Sequence, residues 1–150
     1  MSEIVFSIVI PGKDDYLEIV EVWEASVRAT HDFLTERDIA RLKPLVLEKY
    51  LDAVDLRCVK DANGRIVGFI GTHDERIEML FIDPDYRGKS VGKFLTRHAV
   101  DELGMKKVDV NEQNAQAVGF YEHMGFEIIG RSPLDGQGQP FPLLHLKMPG

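Results

Sequence analysis

Residues 82–93, Ile82-Asp83-Pro84-Asp85-Tyr86-Arg87-Gly88-Lys89-Ser90-Val91-Gly92-Lys93, concentrate the groups most able to hold an anion. The run leaves an apolar strand pattern and enters a helical one through two glycines and three cations, Arg87, Lys89 and Lys93. A helix start leaves its first N–H groups without intrahelical partners and carries about half a positive charge. Glycines let the main chain approach an anion closely, so the segment reads as a diphosphate cradle. A Walker A loop is excluded, because only Lys89, Ser90 and Val91 separate Gly88 from Gly92-Lys93, and Phe94 follows instead of Ser or Thr. No G-x-G-x-x-G fingerprint occurs either. Taken alone, the segment also fits an ordinary loop that caps a helix.

A second cluster runs from Asn114 to Phe126. Asn114 is a good N-cap, Ala117 permits close approach, and Phe120 and Met124 share one helix face. Gly125 suits the left-handed residue that ends a helix. Tyr121 has the chemical potential here: a phenol with pKa near ~10 keeps its proton at neutral pH and can donate it. The competing reading is an aromatic at a helix–sheet contact with its hydroxyl merely satisfied. Glu78 alternates with Ile77 and Met79, which also fits a solvent-facing charge. His31, within Ala29–Leu34, is either a base or an exposed or capping residue. Cys58 reads as a small core residue, and His73, His98, His123 and His145 carry no motif.

These residues need elements to position them. Ile4–Ile10 reads as a buried strand closed by Pro11-Gly12. Tyr16, Ile19, Val20, Trp23 and Val27 recur at helical spacing, giving a helix that ends near Thr30. Thr35 and Asp38 form a capping-box pattern that starts a second helix, which Pro44 either kinks or replaces with a new one. Strands follow at 56–60, 66–72 and 77–82, the first two joined by an Asn63-Gly64 turn. Then come a helix from Ser90 to Gly104, a strand at 107–110, a helix at 115–124, and strands at 126–130 and 143–147. The order β-α-α-β-β-β-α-β-α-β-β mixes hairpins with crossovers. It predicts an α/β domain with a mixed, mostly antiparallel twisted sheet of about seven strands, flanked by about four helices lying on both faces.

Composition narrows the class. The chain has 150 residues with net charge −7 and 44% hydrophobic content, which fits one globular domain over 1–150. Its apolar runs fall far short of the ~20 residues of a membrane span. The start, Met1-Ser2-Glu3-Ile4, has no signal-peptide pattern, which points to the cytoplasm. One cysteine allows no internal disulfide, and zinc-ligand spacing is absent. The acidic balance argues against nucleic acid and favours a cationic partner.

Arg87-Gly88-Lys89-Ser90-Val91-Gly92 resembles the Arg/Gln-x-x-Gly-x-Gly/Ala loop of the GNAT superfamily of acyl-CoA-dependent N-acetyltransferases, with Ser90 where that family usually has glycine. Asn114–Phe126 resembles the family's later pattern, Asn-x-x-Ala-x-x-Phe-Tyr-x-x-x-Gly-Phe. The resemblance implies that the strand before the loop splays from the next one. The backbone of Leu80, Phe81 and Ile82 would then bind the pantetheine arm and polarise the thioester carbonyl. It also implies a cofactor loop of Arg87, Gly88, Lys89, Ser90, Val91, Gly92 and Lys93, completed by Asn114 and Tyr121. Tyr121 would protonate the departing sulfur, Glu78 or His31 would serve the amine as base, and no metal would take part. Acetyl-CoA would be the co-substrate. The acceptor would be an amine of a small molecule, peptide or protein, with no nucleic-acid or membrane partner and a monomer or homodimer as the working form. The 131–142 connection would wall the acceptor pocket. The rival is a non-catalytic acyl-CoA sensor or partner-binding module on the same fold; Tyr121→Phe separates the two.

Overall fold

Strand β3 (Ile66–His73) is buried from Ile66 to Thr72, so it can only lie inside a sheet covered on both faces. The structure, a computed structural model describing residues 6–136 and 138–149, puts it third in a seven-stranded sheet. The other strands are β1 (Ser7–Val9), β2 (Asp55–Lys60), β4 (Arg76–Ile82), β5 (Lys107–Asn111), β6 (Glu127–Ser132) and β7 (Leu143–Lys147). Their order is β1-β2-β3-β4-β5-β7-β6, with every pairing antiparallel except β4 with β5. Ile4 and Val5 of the first expected strand, and Gln137 of the long connection, lie outside the described residues.

Helices α1 (Tyr16–Thr30) and α2 (Glu36–Leu45) cover one face, packing Ile19, Trp23, Val27 and Ile39 on Leu56, Cys58 and Phe69. Helices α3 (Val91–Asp101) and α4 (Ala115–His123) cover the other, where Leu95, Ala99 and Tyr121 meet Val59, Ile70, Ile77 and Leu146. Each fully buried Phe, Leu or Ile side chain contributes roughly 1.5–3 kcal/mol. Cys58 belongs to this core, and burial pushes its thiol up to about 11, leaving an inert neutral group.

The Thr35–Asp38 capping box forms as expected. Pro44 does neither of the two things expected of it. It sits one residue before the end of α2, and the chain then widens into an i→i+5 turn, Val46–Tyr50, closed by Leu51 N–H on the Val46 carbonyl at 3.1 Å. The missing proline amide leaves the helical ladder short there, and the wider turn absorbs the mismatch.

Candidate active site

β4 and β5 stay in register only at Arg76↔Lys107 and Ile77↔Val108. Immediately after, Glu78 forms a bulge, because Ile77 pairs Thr72 while Met79 pairs Gly71. Beyond it β4 has a neighbour on one side only. The Asp83 amide donates to the Val67 carbonyl at 2.9 Å, in phase with the pairs Gly68↔Ile82, Phe69↔Phe81, Ile70↔Leu80 and Gly71↔Met79. In an antiparallel ladder, bonded and non-bonded pairs alternate. Met79 and Phe81 therefore spend their main-chain groups on β3, while Leu80 and Ile82 turn theirs into the gap. This corrects the expectation for Phe81, whose backbone is committed to Phe69 and whose ring lies on the α1–α2 face.

A cavity of about 420 Å³ occupies the gap. Its far end is the turn and helix start at 87–93. Asp83 caps the short turn Pro84–Tyr86 by accepting from the Asp85 amide at 2.9 Å, and Arg65 holds the same carboxylate at 2.5 Å. Among the described residues, the amides of Val91, Gly92 and Lys93 have no backbone partner, whereas Phe94 already donates to the Ser90 carbonyl at 2.9 Å. Gly88 has φ +75°, with open space where a Cβ would stand. Unspent donors, an open approach and the cations Arg87 and Lys93 fit a diphosphate. Arg87 also donates to Gln116 on α4, which bridges the cavity, and the Lys89 ammonium lies 5.5 Å from the Tyr86 ring centre.

The left-handed conformation of Ser90, φ +66°, explains in physical terms why glycine suits this position. Its hydroxyl caps nothing. Ser90→Gly is expected to raise stability by about 1 kcal/mol, read as a higher denaturant midpoint, without loss of coenzyme A affinity in calorimetry.

Three expected residues converge on the same cavity. Asn114 caps α4, its Oδ1 accepting from the Ala117 amide at 3.1 Å, which turns its Nδ2 toward His31 Nε2 at 3.5 Å. On the other edge of the imidazole, Thr30 Oγ1 lies 2.8 Å from Nδ1 and spends its own proton on the Ser26 carbonyl at 2.8 Å. The network therefore assigns the hydrogen to Nδ1 and leaves Nε2 as the acceptor. Burial holds His31 down at about 4, so the ring is neutral near pH 7. Tyr121 is buried between Phe120 and Phe126, with ring centres 5.1 and 5.6 Å away, yet it lines the cavity. Burial raises its pKa, so the phenol keeps its proton.

Glu78 is not part of this cavity. It opens onto a separate one on the α1–α2 side, and burial raises its pKa. The cluster Ser26, Thr30 and Gln116 was missed in the sequence. Its one available signal was the pair of hydroxyls at i, i+4 interrupting the apolar face of α1. The 131–142 connection reaches the α1–α2 connection through Phe141, whose ring centre is 5.8 Å from that of Phe33, itself 5.3 Å from His31. His145 bridges Asp109 and Ser132, at 2.6 Å each, across β5, β7 and β6.

The family model described as "Acetyltransferase (GNAT) domain" matches residues 35–141. The chain is 43% identical over 132 residues to the peptidyl-lysine N-acetyltransferase YjaB of Salmonella typhimurium, covering 88% of this chain and 90% of that protein. Its structure is similar to the solution structure of apo-form YjaB from Escherichia coli, with a TM-score of 0.89 at 40% identity over 97% of this chain and 99% of that one. The fold also matches the PaiA N-acetyltransferase from Thermoplasma acidophilum in complex with coenzyme A, with a TM-score of 0.76 at 20% identity over 97% and 99% of the two chains.

Proposed function

The chain belongs to the GNAT family of acetyl-CoA-dependent N-acetyltransferases, and from that premise we propose that its acceptor is the side-chain amine of a lysine in a peptide or protein. The observation that carries the mechanism is the convergence, in one cavity, of outward-turned β4 amides, the α3 start, the Tyr121 phenol and the Nε2 acceptor of His31. The peptidyl-lysine activity named for relatives at 42–43% identity supports the acceptor class, as does a net charge of −7, which favours basic segments.

Acetyl-CoA supplies an activated thioester acyl group. The amides of Val91, Gly92 and Lys93, with Arg87, Gly88, Lys89 and Ser90, hold its diphosphate end. Leu80 and Ile82 pair with the extended arm and stabilise the negative charge that develops on the carbonyl oxygen, a contribution of about 3 kcal/mol per donor in comparable sites. His31 Nε2 accepts an N–H of the neutral amine and aims its lone pair at the carbonyl carbon; the long contact from Asn114 yields its place to the amine. A ring held at about 4 is a poor proton store, so His31 orients the amine and the amine's proton leaves through water. Tyr121 donates to the departing sulfur. The reading takes residues 1–150 as one catalytic domain that works in the cytoplasm as a monomer or homodimer.

Incubation with acetyl-CoA and lysine peptides, followed by thiol release and by mass spectrometry, is expected to place the acetyl group on Nε. Modification confined to α-amines or small amines overturns the acceptor class.

The state of His31 has its own readout. NMR titration of its ring protons should give a midpoint near 4, with no transition near the ordinary ~6.5. The unfolded chain binds that proton more readily than the folded one. The resulting stability is therefore complete above about 6.5 and is lost as pH falls from there toward 4. A His31 midpoint near 6.5 removes the neutral-acceptor role.

A further inference from the structure

The segment that leads into the diphosphate loop is held from outside. Beyond Tyr86 its local bonds are long. The Arg87 amide reaches the Pro84 carbonyl, and the Lys89 amide the Tyr86 carbonyl, at 3.3 Å each, just past the ordinary range of about 2.7–3.2 Å. Gly88 and Ser90 both take left-handed conformations, at φ +75° and +66°. Residues 87–90 therefore have little of their own to fix them. The turn between β2 and β3 is the opposite. Asp61 Oδ1 accepts from the amides of Asn63 and Arg65, at 2.9 and 3.1 Å, and main-chain bonds of 3.0 Å join Asp61 to both Gly64 and Arg65. A turn braced by its own side chain in this way is stiff.

That stiff turn grips the segment at both ends of residues 83–86. Asp61 Oδ2 accepts from the Tyr86 hydroxyl at 2.9 Å, and Arg65 donates to Asp83 Oδ2 at 2.5 Å. Asp83 is 5% exposed, and its other oxygen holds the Asp85 amide. The Tyr86 hydrogen bond, with the two turn amides, keeps the Asp61 carboxyl below the usual carboxylate range, so it stays an ionised acceptor near pH 7. Tyr86 lines the cavity and carries the Lys89 ammonium over its ring, whereas Asp61 and Arg65 stand outside the cavity wall. We propose that Asp61 and Arg65 are positioning residues for acetyl-CoA: they fix the 83–86 turn against β3 and so aim Arg87 and the amides of residues 91–93 at the diphosphate, without touching it. The proposal rests on the reading of residues 87–93 as the diphosphate site.

Calorimetry with coenzyme A tests this without an acceptor. Arg65→Ala should weaken binding about 10-fold, the scale of a lost charged hydrogen bond, and Arg65→Lys should restore most of the loss. Asp61→Ser keeps an acceptor for the turn amides but is too short to reach Tyr86. That variant and Tyr86→Phe should each weaken binding about 5-fold, and the double variant no more than either alone. In acetyl transfer to a lysine peptide, the Arg65→Ala loss should fall on KM for acetyl-CoA, with kcat unchanged. S-acetylpantetheine, which lacks the nucleotide and its diphosphate, should serve parent and variant with equal kcat/KM. Unchanged coenzyme A affinity in Arg65→Ala and Asp61→Ser overturns the positioning role. An equal loss with both thioesters overturns it too, since that is a general loosening of the fold. A parent enzyme that uses S-acetylpantetheine as well as acetyl-CoA instead overturns the diphosphate reading of residues 87–93, so the two failures are told apart.

Discussion

Tyr121→Phe lowers kcat at least about 10-fold and leaves coenzyme A affinity and folding stability nearly unchanged, as expected for the loss of a general acid whose contribution typically reaches 10²–10⁴-fold. The substitution isolates the proton. No hydrogen bond joins the phenol to another described residue, so removing the hydroxyl strands no buried donor or acceptor. The ring itself, packed edge-on against Phe120 and Phe126, stays in place with its share of the core. Because burial raises the tyrosine's pKa, the hydroxyl is protonated across the working pH range and the deficit should not vary with pH. Steady-state kinetics with a lysine peptide, paired with calorimetry for coenzyme A, checks both halves. Unchanged turnover removes Tyr121 from the chemistry; no turnover by the parent enzyme, with coenzyme A still bound, returns the chain to the sensor reading.

The second large effect falls on stability. A Cβ built at Gly68 would come within 2.9 Å of both Ile82 Cδ1 and Val91 Cγ1, one on β4 and the other at the start of α3. Gly68→Val must therefore separate the strand from the helix that together frame the proposed cradle. Overpacking of this kind costs about 3 kcal/mol. In a chain of this size that corresponds to a fall in Tm of roughly 6–12 °C. The Gly92 site behaves differently, since a Cβ there meets Phe120 and Ile82 at an ordinary 3.6–3.7 Å. Gly92→Ala should fold normally, and any loss of coenzyme A affinity in that variant would report the approach of the anion to the main chain. Thermal melts of both variants test the contrast; a Gly68→Val protein that melts like the parent shows that Ile82 and Val91 move aside freely.

Much of the candidate site's local geometry is legible in the sequence. Strand-to-helix passage through glycines and cations pointed to residues 87–93 as a candidate anion site, because exposed amides at a helix start are a consequence of backbone geometry that local sequence controls. The same holds for Asn114 as a cap and Gly125 as a terminator, whose φ of +106° suits a residue without a Cβ. The widened turn after Pro44 was not legible, because a missing amide says where a ladder fails but not how the chain absorbs it.

Apolar runs, turn signals and helical spacing were enough to indicate about seven strands, about four helices and their order, since these are local properties. Which main-chain groups face the opening was a matter for the tertiary structure. The register of β3 on β4 and the bulge at Glu78 turn Leu80 and Ile82 outward, commit Phe81 to its neighbour, and send Glu78 to the other cavity. A shift of one residue in that pairing would reverse every assignment, and pairing depends on contacts between segments far apart in the chain. His31 shows the same division: its type and place were readable, but its neutral state and free Nε2 come from burial and from partners at Thr30 and Asn114, the latter 83 residues away.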